Sequence, residues 1–270
     1  MKQTNPRTHW RWLYCCLLLV QAFTASAEAR LPVAQRIVSL DLCMDWMLVY
    51  HLNSTSVAAL SPLYQRYPLP IQPVDWPVHD GSLEQIFSLQ PDLVLVGEYN
   101  APMLRSRLQR LGLPVQVVQL PRSLAEVVDY EQQLLALLGL PKAQSSLTPV
   151  LLAAEPGAPR LLLLGANGIG TGRGTFEDQI LVQAGWQNYL TESGYLRLDL
   201  EQLVNDPPDA LLWAAPGSAA LANRFAEHPA LLQRIPVARW LTTDYWRWQC
   251  PGPWTWELIE QLKQAREALD

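Results

Sequence analysis

Basic clusters, paired metal ligands and nucleophile signatures are all missing from this 270-residue chain. It carries 20 Lys and Arg against 25 Asp and Glu, a formal net charge of −5 at pH 7. The positive residues do not gather anywhere beyond the first stretch, so nucleic acid is not an expected partner. The four His are scattered, and none stands at ligand spacing from another. No metal site is therefore expected from the residues, because a bare divalent cation wants clustered His and carboxylates. His79-Asp80 is the one adjacent pair, and it reads as a solvated loop. A nucleophile elbow, a metalloprotease helix and a thioredoxin-type Cys pair are all absent. No catalytic residue is expected.

Cysteine is scarce as well: four residues, of which Cys15 and Cys16 lie in the first apolar run. That run, Leu13 to Val20, follows Lys2, Arg7 and Arg11 and ends at Ala25-Ser26-Ala27. The pattern is that of a cleavable signal peptide over 1–27, too short to span a bilayer. An uncleaved anchor is the alternative. Neither Cys follows a small-residue lipobox, so no lipid anchor is expected. Removing the leader takes the net charge from −5 to −8. No later run is apolar enough to cross a membrane. Cys43 and Cys250 then remain. Export and an even count favour a disulfide between them; the rival reading is a pair of thiols at a ligand site.

What the chain does contain is one phrase written twice. Leu83-Glu84-Gln85-Ile86 leads to Pro91-Asp92-Leu93-Val94-Leu95, and Leu200-Glu201-Gln202-Leu203 leads to Pro208-Asp209-Ala210-Leu211-Leu212. In both, the Glu stands seven residues before the Pro and eight before the Asp. Each copy reads as an amphipathic helix, a Pro-Asp break and a buried strand. Two such units predict two similar α/β lobes with a ligand cleft between them.

Buried strands are predicted at 36–40, 57–60, 115–118 and 160–164, and helices at 41–50, 103–111, 176–184 and 257–269. From 67 to 80 the density of Pro predicts a surface loop with a short strand. Ser123 to Leu138 has the longest helical spacing, and Ser123 with Glu126 forms a capping box. This gives an N-terminal lobe at 28–122, a connecting helix at 123–154 with a break or kink at Pro149, and a C-terminal lobe at 155–270. Alternating strands and helices predict parallel sheets. Gly168-Ile-Gly170-Thr-Gly172-Arg-Gly174 matches neither the dinucleotide nor the P-loop pattern, and reads as a loop lining the cleft. Trp240 to Trp256 reads as a second, Trp-dense loop.

These residues resemble the class III periplasmic solute-binding proteins of ABC importers, the group for ferric siderophores, haem and vitamin B12. The likeness runs through Arg36-Ile-Val-Ser-Leu with Asp45-Trp-Met-Leu, both copies of the repeat, Gly172-Arg-Gly-Thr-Phe176 and Ala184-Gly-Trp-Gln-Asn188. The ending, Trp248-Gln-Cys-Pro-Gly-Pro-Trp254, is similar to a proteobacterial branch that also carries a Cys near Cys43. The resemblance implies two Rossmann-like α/β lobes joined by a long helical connector. It implies a monomeric periplasmic receptor with no resident cofactor and no chemistry of its own. The partner is an ABC importer permease in the inner membrane, docked through Glu84 and Glu201. The cargo is a small-molecule metal chelate: iron–siderophore first, cobalamin second, haem third. Expected cleft residues are Cys43, Trp46, Tyr64, Trp76 and Tyr99 from the first lobe, and Asn167, Arg173, Tyr245, Trp246, Arg247 and Trp248 from the second. Arg66 and Arg239 are further candidate cations, and Tyr195 a further candidate aromatic. An exported enzyme or ligand sensor on the same frame is the alternative function.

Overall fold

Ile37-Val38-Ser39 carries one small polar side chain, whose hydroxyl donates to the Asp41 carbonyl (2.9 Å), and all three residues are buried as the first strand, β1. The computed structural model describes residues 36–69, 75–142, 155–215 and 220–269. The expected leader at 1–27 lies outside the described residues, as does the part of the connector containing Pro149. Among the described residues, no helix is long and apolar enough to cross a membrane.

β1 pairs in parallel with β2 (Val57–Ala59) on one side and with β3 (Leu93–Gly97) on the other, and β4 (Val115–Val118) extends the sheet beyond β3. β3 is buried along its whole length, as a parallel strand covered on both faces must be. Its residues alternate between two cores. Leu93 and Leu95 face helix α1 (Leu42–His51), with Met44, Met47 and Leu48. Val94 and Val96 pack with Ile86 of α3 (Leu83–Ser88) and Leu108 of α4 (Pro102–Arg110). A short helix, α2 (Pro62–Arg66), leads into the Pro-rich segment.

The repeat has a structural cause. In each copy the Asp after Pro fastens the start of the lobe's central strand. Arg36 N–H donates to the Asp92 carboxylate (3.0 Å) and Asp92 N–H donates to the Arg36 carbonyl (3.2 Å). Arg160 and Asp209 exchange the same two bonds (2.7 and 3.0 Å). The helix before each break is capped by a side chain, Ser82 in the first copy and Asp199 in the second.

Two buried carboxylates anchor α1. Asp41 caps it, accepting from the N–H groups of Cys43 (3.0 Å) and Met44 (3.1 Å), and its second oxygen accepts from Gly97 N–H at the end of β3 (2.6 Å). Burial raises its affinity for a proton, and these donors oppose that. One turn on, Asp45 accepts from Ser61 N–H (2.8 Å) and Ser61 Oγ–H (2.6 Å). Burial pushes Asp45 up to about 7, and the charge of Asp41 adds to the effect.

Helix α5 (Leu124–Leu137) joins the halves. Ser123 caps it as expected, but Glu126 reaches one residue further back than a capping box requires, to Arg122 N–H (2.8 Å). Leu124 enters the core of the second half, while Tyr130, Leu134 and Leu138 enter that of the first.

The second sheet contains β5 (Arg160–Leu164), β6 (Ile169–Thr171), β7 (Gln187–Asn188), β8 (Tyr195–Arg197), β9 (Ala210–Trp213) and β10 (Trp240–Thr242). Its order is β10-β9-β5-β6-β8, with β7 also paired to β5. The expectation of a parallel sheet fails at β6 and β8, which run antiparallel. The reason is local. Asn167 (φ 59) and Gly168 (φ 70) take left-handed conformations and reverse the chain in a turn too short for a crossover. The Gly-rich stretch is thus partly a strand. A Cβ at Gly170 would strike the Leu190 side chain, and one at Gly172 the Glu192 carbonyl. The expected Trp-dense loop likewise holds β10 and a short helix, α9 (Tyr245–Gln249). The remaining helices are α6 (Phe176–Gln183), α7 (Leu200–Asn205), α8 (Pro229–Arg234) and α10 (Thr255–Glu267).

The end of the chain belongs to both halves. Cys250 is disulfide-bonded to Cys43 with Cα atoms 4.9 Å apart. Cys250 and Trp254 are buried in the first core, where Trp254 meets Trp46 edge-on at 5.3 Å. α10 then packs Leu258, Ile259 and Leu262 into the second core, and Trp186 Nε1–H donates to the Leu262 carbonyl (2.9 Å).

Replacing Cys43 and Cys250 together by Ser removes a link across 207 residues of chain. Unfolding stability should fall by about 2–5 kcal/mol, measured as the denaturant midpoint with and without reductant. Asp45→Asn tests the buried carboxylate. An ordinary Asp in the unfolded chain titrates near 3.8, and the folded group near 7. The folded state therefore holds the proton more tightly, and its stability drops as pH rises from about 4 to about 7. The Asn variant lacks this loss. Its stability relative to the parent should climb over that window, by up to roughly 4 kcal/mol.

Candidate functional site

Strand ends and helix starts converge between the two sheets. β3 ends at Gly97, and the next two residues, Glu98 and Tyr99, project beyond it. Opposite, the turn through Gly174 and Thr175 opens α6. Thr175 Oγ caps the helix by accepting from Asp178 N–H (3.1 Å) and donates to the Gly172 carbonyl (2.9 Å). That fixes Phe176 and Glu177 in the first turn. The crossing segment Leu120-Pro121-Arg122, together with Tyr195, Trp248, Gln249 and Pro251, completes a cleft of about 460 Å³. A smaller hollow of about 170 Å³ continues it along β5 and β6, sharing Glu177, Tyr195, Trp248 and Gln249 and adding Tyr245. Both lie at the ends of strands, where open α/β sheets place ligands, and the larger is within the usual range for small-molecule sites.

The walls are aromatic with few charges. Arg122 Nη2–H donates to the Tyr99 hydroxyl (3.1 Å), and the same guanidinium sits 3.6 Å from Glu98. Glu98 also accepts from Leu120 N–H (3.3 Å). On the other wall Glu177 is only 8% exposed. Its two oxygens lie 3.2 and 3.3 Å from the hydroxyl of Tyr195, which donates to them. Burial raises the proton affinity of Glu177. Tyr195 is pushed up to about 12, first by desolvation and then by the Glu177 charge. Trp248 lines the cleft while only 3% exposed, and its Nε1–H donates to Thr243 Oγ1 (2.8 Å). Among the described residues, no group of three or more His, Cys, Asp or Glu is placed to hold a metal ion.

Of the expected cleft residues, Tyr99, Tyr245 and Trp248 line the two hollows, as does the further candidate Tyr195. The others stand elsewhere, and each for a physical reason. Cys43 is buried in its disulfide. Trp46 is 1% exposed, packed in the core with Nε1–H donating to the Tyr67 carbonyl (2.9 Å). Tyr64 is buried in α2, and Trp76 packs half-buried on the same core. Trp246 lies against Tyr67 at 4.4 Å. Asn167 is spent on the β5–β6 turn, and Arg173 is exposed, bridging to Ser193. Arg247 faces Asp244 (3.8 Å) and Glu257 (3.5 Å). Neither Arg66 nor Arg239 reaches the cleft. Glu84 and Glu201 are both exposed in the first turn of their helices, α3 and α7, which lead to β3 and β9 and so occupy equivalent places beside β1 and β5.

Sequence reasoning passed over Glu98, Arg122, Phe176 and Glu177. Glu98 was legible, since it directly follows a buried strand. Phe176 and Glu177 carried a weaker signal, as the first turn of a helix behind a Gly-rich turn. Arg122 carried none.

Two α/β halves, a helix joining them and a cleft between make a fold that several solved periplasmic binding proteins share. A periplasmic heme-binding protein from Pseudomonas aeruginosa is 22% identical at a TM-score of 0.60, covering 87% of this chain and 92% of its own. A periplasmic vitamin B12-binding protein of Vibrio cholerae is 18% identical at 0.59, covering 88% and 98%. A possible iron-binding, periplasmic solute-binding protein from Staphylococcus epidermidis is 18% identical at 0.65, covering 87% and 98%. At these identities the likeness carries the fold, and function must be argued from the site. No protein-family model matches the chain, and no curated protein does.

Proposed function

We propose that this protein is a periplasmic receptor that captures a metal chelate and passes it to an ABC importer, without chemistry or a resident cofactor of its own. The observation that carries the reading is the inter-lobe cleft itself, about 460 Å³ and walled from both sides by Tyr99, Phe176, Tyr195 and Trp248. Flat aromatic walls suit a bulky, partly apolar ligand. The solved structures of like fold bind heme, vitamin B12 or iron by their own descriptions, which supports a chelate as cargo. Tyr195 holds its proton to about pH 12.

Charge refines the cargo. Among the described residues, Arg122 is the one cation lining the cleft, and it already faces Glu98. Polyanionic catecholates therefore rank behind neutral chelates. Hydroxamate-type iron–siderophores and cobalamin stand ahead of haem. Glu84 and Glu201 would meet cations of the permease, one from each lobe. Exposed pairs of this kind steer and orient more than they bind.

Titrating the tryptophan fluorescence of the mature, oxidised protein tests the reading. Ferrioxamine B, cyanocobalamin or hemin should give a saturable change with a midpoint in the micromolar range or below, and Trp248→Phe should reduce its amplitude. No response to any of the three would count against a chelate receptor. Glu84→Ala with Glu201→Ala should leave those midpoints in place while slowing chelate uptake by about tenfold in cells. Unchanged uptake would remove the docking role.

A further inference from the structure

Glu177 is an unusual group to find in a ligand cleft whose described lining holds no spare cation. It is nine-tenths buried, lines both hollows, and joins no ion pair among the described residues. Its polar partners are the Tyr195 hydroxyl across the cleft wall, which supplies one proton to two oxygens, its own backbone N–H and the Thr175 side chain. A carboxylate has room for about four donors. Acceptor capacity therefore remains, and it faces a space that a ligand would enter. Glu98 faces the same space from the first lobe, tied to Leu120 N–H and Arg122. The two walls thus present two carboxylates against one guanidinium, and an anionic ligand entering here would meet a net repulsion in a site partly closed to water.

We infer that Glu177 sets the specificity of the cleft: it selects chelates that are neutral or cationic and that present N–H donors, such as primary amides or an ammonium group, and it rejects chelates bearing free carboxylates or catecholates. A buried acceptor left unpaired is costly, so a ligand lacking the donor is penalised twice, by charge and by the missing bond. Tyr195 positions the carboxylate rather than reading the ligand. The inference rests on the receptor reading above.

Competition binding on the full mature protein tests it. The probes are ferrioxamine B (cationic), cyanocobalamin (neutral, amide-rimmed), hemin and ferric enterobactin (both anionic). The parent should bind ferrioxamine B or cyanocobalamin at least tenfold more tightly than either anionic probe. Glu177→Gln keeps the shape and one acceptor but removes the charge. It should narrow that preference by about tenfold, mostly by admitting the anionic probes. A merely structural role would weaken all four probes alike. Tighter binding of hemin or ferric enterobactin by the parent, or an unchanged preference ratio in Glu177→Gln, overturns the inference while leaving the receptor standing. Binding of none of the four sinks both.

Discussion

The tie between Cys43 and Cys250 decides where the end of the chain goes, and much of the cleft follows from it. Cys43 lies in the first turn of α1, which Asp41 caps and fastens to the end of β3. The bond therefore attaches the C-terminal segment to the most buried part of the first half. Trp254 completes the attachment by meeting Trp46 inside that core. With Cys250 held there, Gln249 and Pro251 on either side of it have little choice but to form one wall of the cleft, which Trp248 also lines. α10 then returns to the second core. Together with α5, whose first residue packs in one core and whose later residues pack in the other, it joins the halves by hydrophobic burial, at roughly 25 cal/mol for each Å² of apolar surface removed from water.

Within this frame the polar groups divide their labour by burial. Asp41, Asp45, Asp92 and Asp209 all serve the backbone, satisfying N–H groups that would otherwise be stranded at helix starts and strand ends. Glu98 and Glu177 stand one step further out, where strands and helices stop and a ligand could reach them. The distinction is one of geometry, since all six are carboxylates. A carboxylate that fills its acceptor sites with main-chain donors is structural; one that leaves them facing a cavity is available.

The aromatic residues show how far a sequence can be read. Trp46 and Trp248 were both expected in the cleft, and both sit in helices. Both are buried in a core, and of the two Trp248 also lines the cleft. No local pattern separates them, because the difference lies in which surface the opposite element presents. Tyr99 and Tyr245 were legible as strand-end and loop aromatics. Arg122 was not, because its place depends on a segment crossing between halves. The antiparallel β6 and β8 were missed because a Gly-rich stretch looks like a loop until Asn167 and Gly168 are seen to turn the chain back on itself.

By itself the sequence determined the duplicated helix–strand unit, the buried central strands, the Ser123 cap and the two exposed Glu residues that open the repeated helices. Each of these depends on neighbours a few residues away, or on a burial pattern a strand carries within it. It also narrowed the two late cysteines to a pair. The tertiary structure alone decided that they meet, which aromatics face the cleft, and that Glu177 ends up buried beside Tyr195 with acceptor sites to spare. Those outcomes depend on how two cores and a returning chain end pack against one another. That packing is a sum of long-range contacts that no stretch of sequence contains.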